Sequence, residues 1–129
     1  MSQELKDNLS EKYLKTLLEI VEKSNKYEAE HLFDACAQHI NYAVEKHKEN
    51  SLIDVDTAEK LAISFKALKN HWSDISDQAQ EYLKAAMYYF AISEDNEPDF
   101  ESENGFDDDV QVLNACLIYA GLNEILVKK

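Results

Sequence analysis

Apolar residues recur at steps of three and four positions in five stretches of the 129-residue chain, which is the spacing of an amphipathic helix. We predict helices over residues 3–24, 27–48, 56–70, 77–92 and 110–120. No stretch alternates apolar and polar residues for long enough to predict a strand. The pattern therefore predicts an all-α, single-domain bundle of about five helices over residues 1–129, with its N-terminal helices within residues 3–70.

Capping residues and glycine indicate where these helices begin and end. The predicted N-caps are Asp54, Asp56 or Thr57 for the third helix, Ser76 or Asp77 for the fourth, and Asp107 or Asp108 for the last. The last helix is apolar on nearly all sides, so we expect it to lie at the centre of the bundle. Gly121 follows it, either as its C′ residue or as a point of close packing.

Charge is distributed unevenly along the chain. Residues 94–109, EDNEPDFESENGFDDD, hold nine of the 26 acidic residues and no Lys, Arg or His. Elsewhere 17 acidic residues accompany 13 lysines, and the formal net charge of the whole chain is −13. There is no Arg, the side chain that grips phosphate bidentately, so nucleic-acid and nucleotide-phosphate recognition are not expected. The pattern predicts an acidic hairpin loop between the last two long helices.

The cysteines and the apolar runs indicate in which cellular compartment the protein is expected. Cys36 and Cys116 are 80 residues apart and form no CxxC motif, so we expect two buried thiols in a reducing environment. The first 25 residues are charged throughout and do not resemble a signal peptide. The longest apolar run, residues 110–122, is shorter than the roughly 20 residues that a membrane span needs. We therefore expect a cytoplasmic protein without a membrane span.

The acidic stretch and its flanks, YFAISEDNEPDFESENGFDDDVQVL from Tyr89 onwards, carry a motif. The positions of this motif are Asp95, Pro98, Asp99, Phe100, Gly105, Asp108 and Asp109. In this spacing the chain resembles the YkvA-like family, a bacterial domain of unknown function whose signature joins Asp-x-x-Pro-Asp-Phe to Gly-x-x-Asp-Asp between two apolar helices. Tyr89 matches the aromatic residue at the end of the family's preceding helix. The resemblance covers residues 85–117 and implies that they form one structural motif.

Departures from the family pattern fall at apolar positions. Asn96 and Glu97 stand where relatives have two apolar residues between the first Asp and the Pro. Glu101 and Ser102 stand where relatives tend to have Ile-Pro. Many relatives look membrane-associated, and the lost residues are those able to touch lipid. The chain therefore resembles a soluble, acidified branch of the family, and whether the membrane association of relatives persists stays open.

The acidic stretch has three interpretations. Its aspartates can cap helix ends and accept backbone N–H bonds. Alternatively, a divalent cation, Mg²⁺ or Ca²⁺, can be held by Asp95, Asp99, Asp108 and Asp109. The EF-hand template does not fit, because Phe100 stands where that loop requires Gly. The third interpretation is recognition of a basic protein, with the contact residues Glu94, Glu97, Glu101, Glu103 and Asp107.

Non-catalytic protein binding is the leading functional prediction. The sequence contains no phosphate-loop, zinc-protease or serine-hydrolase motif. His31, His39 and His47 lie eight residues apart without further ligands at zinc spacing, so ordinary surface or partly buried histidines are expected. We predict an acidic module that binds a basic protein as an inhibitor, immunity-type or regulatory partner, without a cofactor. The alternative is a cation-binding, hydrolytic domain that uses the four aspartates, and the oligomeric state stays open.

Overall fold

The chain folds into α-helices that pack side by side. The computed structural model describes residues 3–49, 55–92 and 107–127. The α-helices of these ranges are α1 (Gln3–Asn8), α2 (Glu11–Asn25), α3 (Ala29–His47), α4 (Val55–His71), α5 (Asp77–Ala91) and α6 (Asp107–Tyr119). Two 3₁₀ helices, Trp72–Asp74 and Asn123–Ile125, complete the order, and the described ranges contain no strand. The prediction of an all-α bundle of about five helices is confirmed.

The first predicted helix is two helices in the structure. α1 ends at Asn8 and α2 begins at Glu11, with Ser10 as the N-cap in an extended conformation (φ −60°, ψ 152°). Leu5 and Leu9 are both buried, so the apolar spacing continues across the break and conceals it. α1 packs against α6, whereas α2 packs mainly against α5. The break therefore lets two parts of one amphipathic stretch contact different helices.

The start of α4 lies within one residue of the predicted start at residue 56 and excludes two of the three predicted N-caps. α4 already begins at Val55, so Asp56 and Thr57 lie in its first turn and neither is its N-cap. Asp54, the other predicted cap, lies outside the described residues. An acidic side chain in the first turn is favourable because it faces the positive end of the helix dipole. Asp54 directly precedes Val55 and stays a predicted N-cap, since Asp is favoured both at the cap and just inside it.

The junction before α5 follows the predicted chemistry. The 3₁₀ helix Trp72–Asp74 interrupts the chain where a break was expected. Ser76 is the N-cap of α5, and its hydroxyl accepts a hydrogen bond from the Ala79 backbone N–H at 3.3 Å. Such a bond satisfies one of the N–H groups that a helix start leaves without an intrahelical acceptor.

The core forms where α5 and α6 meet the other helices. α5 packs against α2, α3 and α6, while α6 also contacts α1 and α2, and α4 packs on the outer side of α3. One fully buried leucine from each helix illustrates this core: Leu5, Leu17, Leu32, Leu61, Leu83 and Leu113. The predicted central helix, α6, thus shares the centre with α5. In the part of the chain that the structure describes, no helix is long and apolar enough to cross a bilayer.

Gly121 ends α6 in the manner of a C′ residue. Its φ is +80°, and its N–H donates to the Ile118 carbonyl at 3.0 Å. The Leu122 N–H donates to the Leu117 carbonyl at 2.9 Å, which completes a Schellman motif. A Cβ built at Gly121 would meet no atom within 4 Å, so the glycine is required by its backbone conformation and not by close packing.

A side-chain amide in α6 fastens the C-terminal tail. The Val127 N–H donates to Asn114 Oδ1 at 2.8 Å, and Asn114 Nδ2 donates back to the Val127 carbonyl at 3.0 Å. The Ser64 hydroxyl on α4 donates to the Ile125 carbonyl at 2.8 Å. A single side chain of α6 therefore satisfies both backbone groups of Val127, a buried tail residue.

Replacing Asn114 should loosen this tail. We expect Asn114→Ala to lower the free energy of unfolding by about 1–3 kcal/mol, because the Val127 N–H and carbonyl lose their partners. Gln111→Ala, on the exposed side of the same helix, should change it by less than about 0.5 kcal/mol. Urea denaturation followed by circular dichroism measures both, and equal losses in the two variants would contradict the role of Asn114.

Candidate functional site

The acidic stretch joins two helices that run antiparallel. The Cys116 thiol near the end of α6 lies 3.5 Å from the Tyr82 carbonyl near the start of α5. The Tyr82 and Tyr119 rings meet edge to face, with their centroids 5.1 Å apart. Since the start of α5 lies beside the end of α6, the end of α5 lies beside the start of α6. The last residue of α5 and the first residue of α6 therefore lie at the same end of the bundle, which we call the acidic end.

Most predicted site residues belong to this connection. Those that lie outside the described residues are Glu94, Asp95, Glu97, Pro98, Asp99, Phe100, Glu101, Glu103 and Gly105. Asp107 and Asp108 are in the first turn of α6, but the described part of the structure does not extend to their side chains. The predicted site residues with described side chains are Tyr89 and Asp109. That the four aspartates lie close together stays a prediction, and so does the contact of the five acidic residues with a partner.

Asp109 lies inside the bundle. It is the third residue of α6, and only 3% of its surface is exposed. Its charge reaches Cys36 on α3, where it contributes to a raised pKa of the thiol. The predicted four-aspartate site required Asp109 to lie with the other three carboxylates at a surface. The structure places it in the core beneath the acidic end, because α6 begins two residues before Asp109 and turns this position inward.

Both cysteines are buried thiols, as the sequence predicts. Cys36 Sγ donates to the Met87 carbonyl of α5 at 3.7 Å, and neither cysteine forms a disulfide. Burial raises the pKa of Cys36 well above its ordinary value, and the negative charge of Asp109 raises it further. Burial also raises the pKa of Cys116. The neutral thiol is therefore the favoured form of both cysteines.

Aromatic contacts fasten the end of α5 to its neighbours. Phe90 meets the His39 ring of α3 edge to face at 4.7 Å between centroids, and the Phe65 ring of α4 at 5.5 Å. Tyr89 is 7% exposed, and Tyr88 approaches Tyr27 with a centroid distance of 5.7 Å. Tyr88, Tyr89 and Phe90 thus pack at the end of α5. The chain therefore departs into residues 93–106 from a fixed position.

His39 also lies at this end and is partly buried, one of the two positions expected for the histidines of this helix. Its side chain is half-buried against Phe90, and this burial lowers its pKa. By contrast His31 is exposed and stacks on Tyr27 at 5.5 Å. The available signal was position: His39 follows buried Cys36 by three residues and directly precedes buried Ile40, which places it beside the buried face of α3.

Within residues 3–49, 55–92 and 107–127 no three His, Cys, Asp or Glu side chains are grouped so that they could hold a metal ion. Asp95 and Asp99 belong to residues 93–106, and the Asp108 side chain is likewise outside the described part. The predicted four-aspartate cation site is therefore a matter for experiment.

Comparisons with protein-family models, with curated proteins and with solved structures found no match to this chain. The resemblance to the YkvA-like family accordingly rests on the seven positions in register between Asp95 and Asp109 and stays a prediction. Tyr89, which precedes the motif, and Asp109, its last position, are both buried where α5 and α6 lie side by side.

The half-buried His39 should make stability depend on pH. Its folded pKa is lowered from the ordinary value of 6.5, so the unfolded chain takes up this proton more readily. The contribution of neutral His39 is complete above pH 6.5 and is lost as the pH falls through the folded pKa. We expect His39→Gln to show a smaller loss of stability between pH 7 and pH 5 than the unmodified protein.

The matched control is His31→Gln, on the exposed face of the same helix. Both variants are compared by urea denaturation across the pH range, and the His39 ring protons are titrated by NMR. The interpretation is contradicted if His39→Gln and the unmodified protein lose stability in parallel, since carboxylates titrating elsewhere would then account for the whole effect.

Proposed function

We propose that this protein is a non-catalytic binding module whose acidic stretch, residues 94–109, docks a basic surface of another protein. The observation that carries the proposal is the concentration of nine acidic residues and no cationic one in 16 consecutive positions. A structural loop needs a few caps, whereas repelling carboxylates at this density gain most from an external positive surface. An inhibitor, an immunity-type protein or a regulatory subunit has this kind of role.

The fixed flanks of the stretch support this function. On one side Phe90 packs against His39 and Phe65, and on the other Asp109 and Val110 are buried in α6. The two points from which the acidic residues extend are therefore held by the core. A binding segment with fixed ends has less conformational freedom to lose on association than one attached to a loose terminus.

Electrostatic recognition defines the expected behaviour. Five side chains of the stretch are proposed as partner contacts: Glu94, Glu97, Glu101, Glu103 and Asp107. Their combined field would raise the association rate with a basic partner at low salt. Because exposed charges are screened over about 8–10 Å at physiological ionic strength, added salt should slow association more than it speeds dissociation.

Charge reversal tests the proposal. Changing Glu97, Glu101 and Glu103 together to Lys should reduce the association rate with the bound partner by about tenfold or more at low salt. Partners are first captured from lysate with the immobilised chain, identified, and then measured by surface plasmon resonance at two salt concentrations. The matched control reverses Glu19, Glu22 and Glu81, which are exposed on α2 and α5. Equal rates for both triple variants would refute the acidic stretch as the binding surface.

The alternative, a cation held by Asp95, Asp99, Asp108 and Asp109, predicts a different result. The buried position of Asp109 favours this alternative, because a cation interacts more strongly with a carboxylate in the core than with one in water. An ion at roughly 100 times its Kd would stabilise the fold by about 2.7 kcal/mol.

Thermal melting with and without millimolar Mg²⁺, Ca²⁺ or Mn²⁺ tests this alternative. A specific site should raise the Tm, and Asp99→Asn should abolish the rise while exposed Asp34→Asn on α3 preserves it. If no ion moves the Tm and Asp99→Asn still destabilises the fold, the aspartates act as helix caps and the cation site is rejected.

A further inference from the structure

A second surface of this protein has the opposite character to the acidic stretch. It is a groove of about 240 Å³ between α3 and α4. Phe33, Ile40 and Phe65 form its floor, and each is less than 10% exposed because the rest of its surface is packed in the core. Lys66 and Lys69 lie at its edge on α4, one helical turn apart.

The charge along α4 makes this edge distinctive. Residues 60–73 contain three lysines and no acidic residue, although acids outnumber lysines two to one in the whole chain. Lys69 also stabilises α4 through the negative end of the helix dipole, but Lys66 lies further from that end. Stabilisation of the helix end therefore does not explain why residues 60–73 lack acidic side chains. Their absence gives one face of an acidic protein a positive charge.

The two lysines have no ion-pair partner among the residues that the structure describes. The ion pairs there join Lys46 to Glu49 and Lys48 to Glu45. Asp34 also lines the groove, so the three charged side chains of its lining leave a net charge of +1. A protein with net charge −13 thus presents an apolar floor with a positive edge here.

The size of the groove limits what can occupy it. Its lining on α4 runs from Ala62 to Lys69, which is about 10 Å along a helix axis, or two turns. That length accommodates two apolar side chains one turn apart on a helix lying in the groove. A longer apolar segment would extend beyond the floor, and a segment without acidic residues would leave both lysines unused.

We propose that this groove docks a short, acidic amphipathic segment of a partner protein. Two apolar side chains of the segment contact Phe33, Ile40 and Phe65, while its carboxylates pair with Lys66 and Lys69. The site is separate from the acidic stretch and requires a ligand of opposite charge. The module would therefore hold a partner, or two partners, through two surfaces of unlike sign.

Binding of a defined peptide tests this proposal. The probe is a fluorescein-labelled helical peptide with two leucines one turn apart, flanked by glutamates. The matched probe carries lysines in place of the glutamates. Fluorescence anisotropy should show the glutamate probe binding at least about tenfold more tightly than the lysine probe, and backbone NMR shifts on binding should centre on α3 and α4 around Ile40 and Phe65.

Three variants locate the binding. Lys66→Glu with Lys69→Glu should weaken the glutamate probe about tenfold or more. The control, Lys23→Glu with Lys26→Glu, reverses an exposed lysine pair of the same spacing at the end of α2 and should leave affinity unchanged. Ala37→Gln, which places a larger side chain at an exposed position of the groove lining, should weaken binding at least about threefold without unfolding the helix.

Several results would overturn the proposal. Failure of the glutamate probe to bind at millimolar concentration would do so, as would equal affinities of the two lysine-pair variants. A dimer seen by sedimentation velocity that Lys66→Glu with Lys69→Glu abolishes would identify a second copy as the occupant. If reversing Glu97, Glu101 and Glu103 tightens probe binding, the chain's own acidic stretch competes for the groove, and a partner segment is the wrong occupant. The proposed basic partner can fail independently, because its test uses a different surface.

Discussion

The antiparallel pairing of α5 with α6 is the constraint on which the rest of the structure depends. Tyr82 lies beside Cys116 and Tyr119 at one end of the pair. At the other end Met87 contacts Cys36 of α3, whose thiol lies within the electrostatic reach of Asp109. Every other helix packs, directly or through α3, on this pair. Because the pair is antiparallel, the acidic stretch connects two fixed points at one end of the bundle.

Charge separation is the second organising feature. Local electrostatics favours mixed charges along a helix, and α2 follows that rule with lysines and glutamates interspersed. The chain departs from it in two places: residues 94–109 hold acids alone, and residues 60–73 hold lysines alone among the ionised side chains. Clustering of charges of one sign destabilises a free protein slightly, because neighbouring charges repel each other. Two surfaces of opposite sign are therefore more readily explained by recognition than by folding.

The sequence predicts the helices well and the contacts between them only in part. Three- and four-residue apolar spacing places α2 to α6 within a few residues, because burial of one face is what stabilises such helices. The same spacing conceals the break at Ser10, since Leu5 and Leu9 stay in register while the backbone changes direction. Gly121 was foreseen as a C′ residue because a left-handed conformation strongly favours glycine.

Residues whose role depends on a distant partner could not be assigned from the sequence. The role of Asn114 depends on the tail residue Val127, whose N–H and carbonyl bond to the Oδ1 and Nδ2 atoms of the Asn114 amide. His39 acquires its meaning from Phe90, 51 positions later. Periodicity reports which face of a helix is buried, but not which residue of another helix lies opposite. The acidic stretch connects α5 to α6, as the helix pattern predicts, whereas its role as a functional site stays a prediction that depends on contacts of that kind.

The burial of Asp109 links the core to the acidic end. Transfer of a carboxylate from water to a protein interior is unfavourable unless its surroundings compensate the charge, and the start of a helix offers the positive end of a dipole. An Asn of nearly the same shape would fill the position without that cost. The neighbouring Cys36 thiol cannot share the charge, since burial and Asp109 itself both raise its pKa. The buried carboxylate at the start of α6 therefore costs stability that an Asn would not, and the positive end of the helix dipole offsets part of that cost.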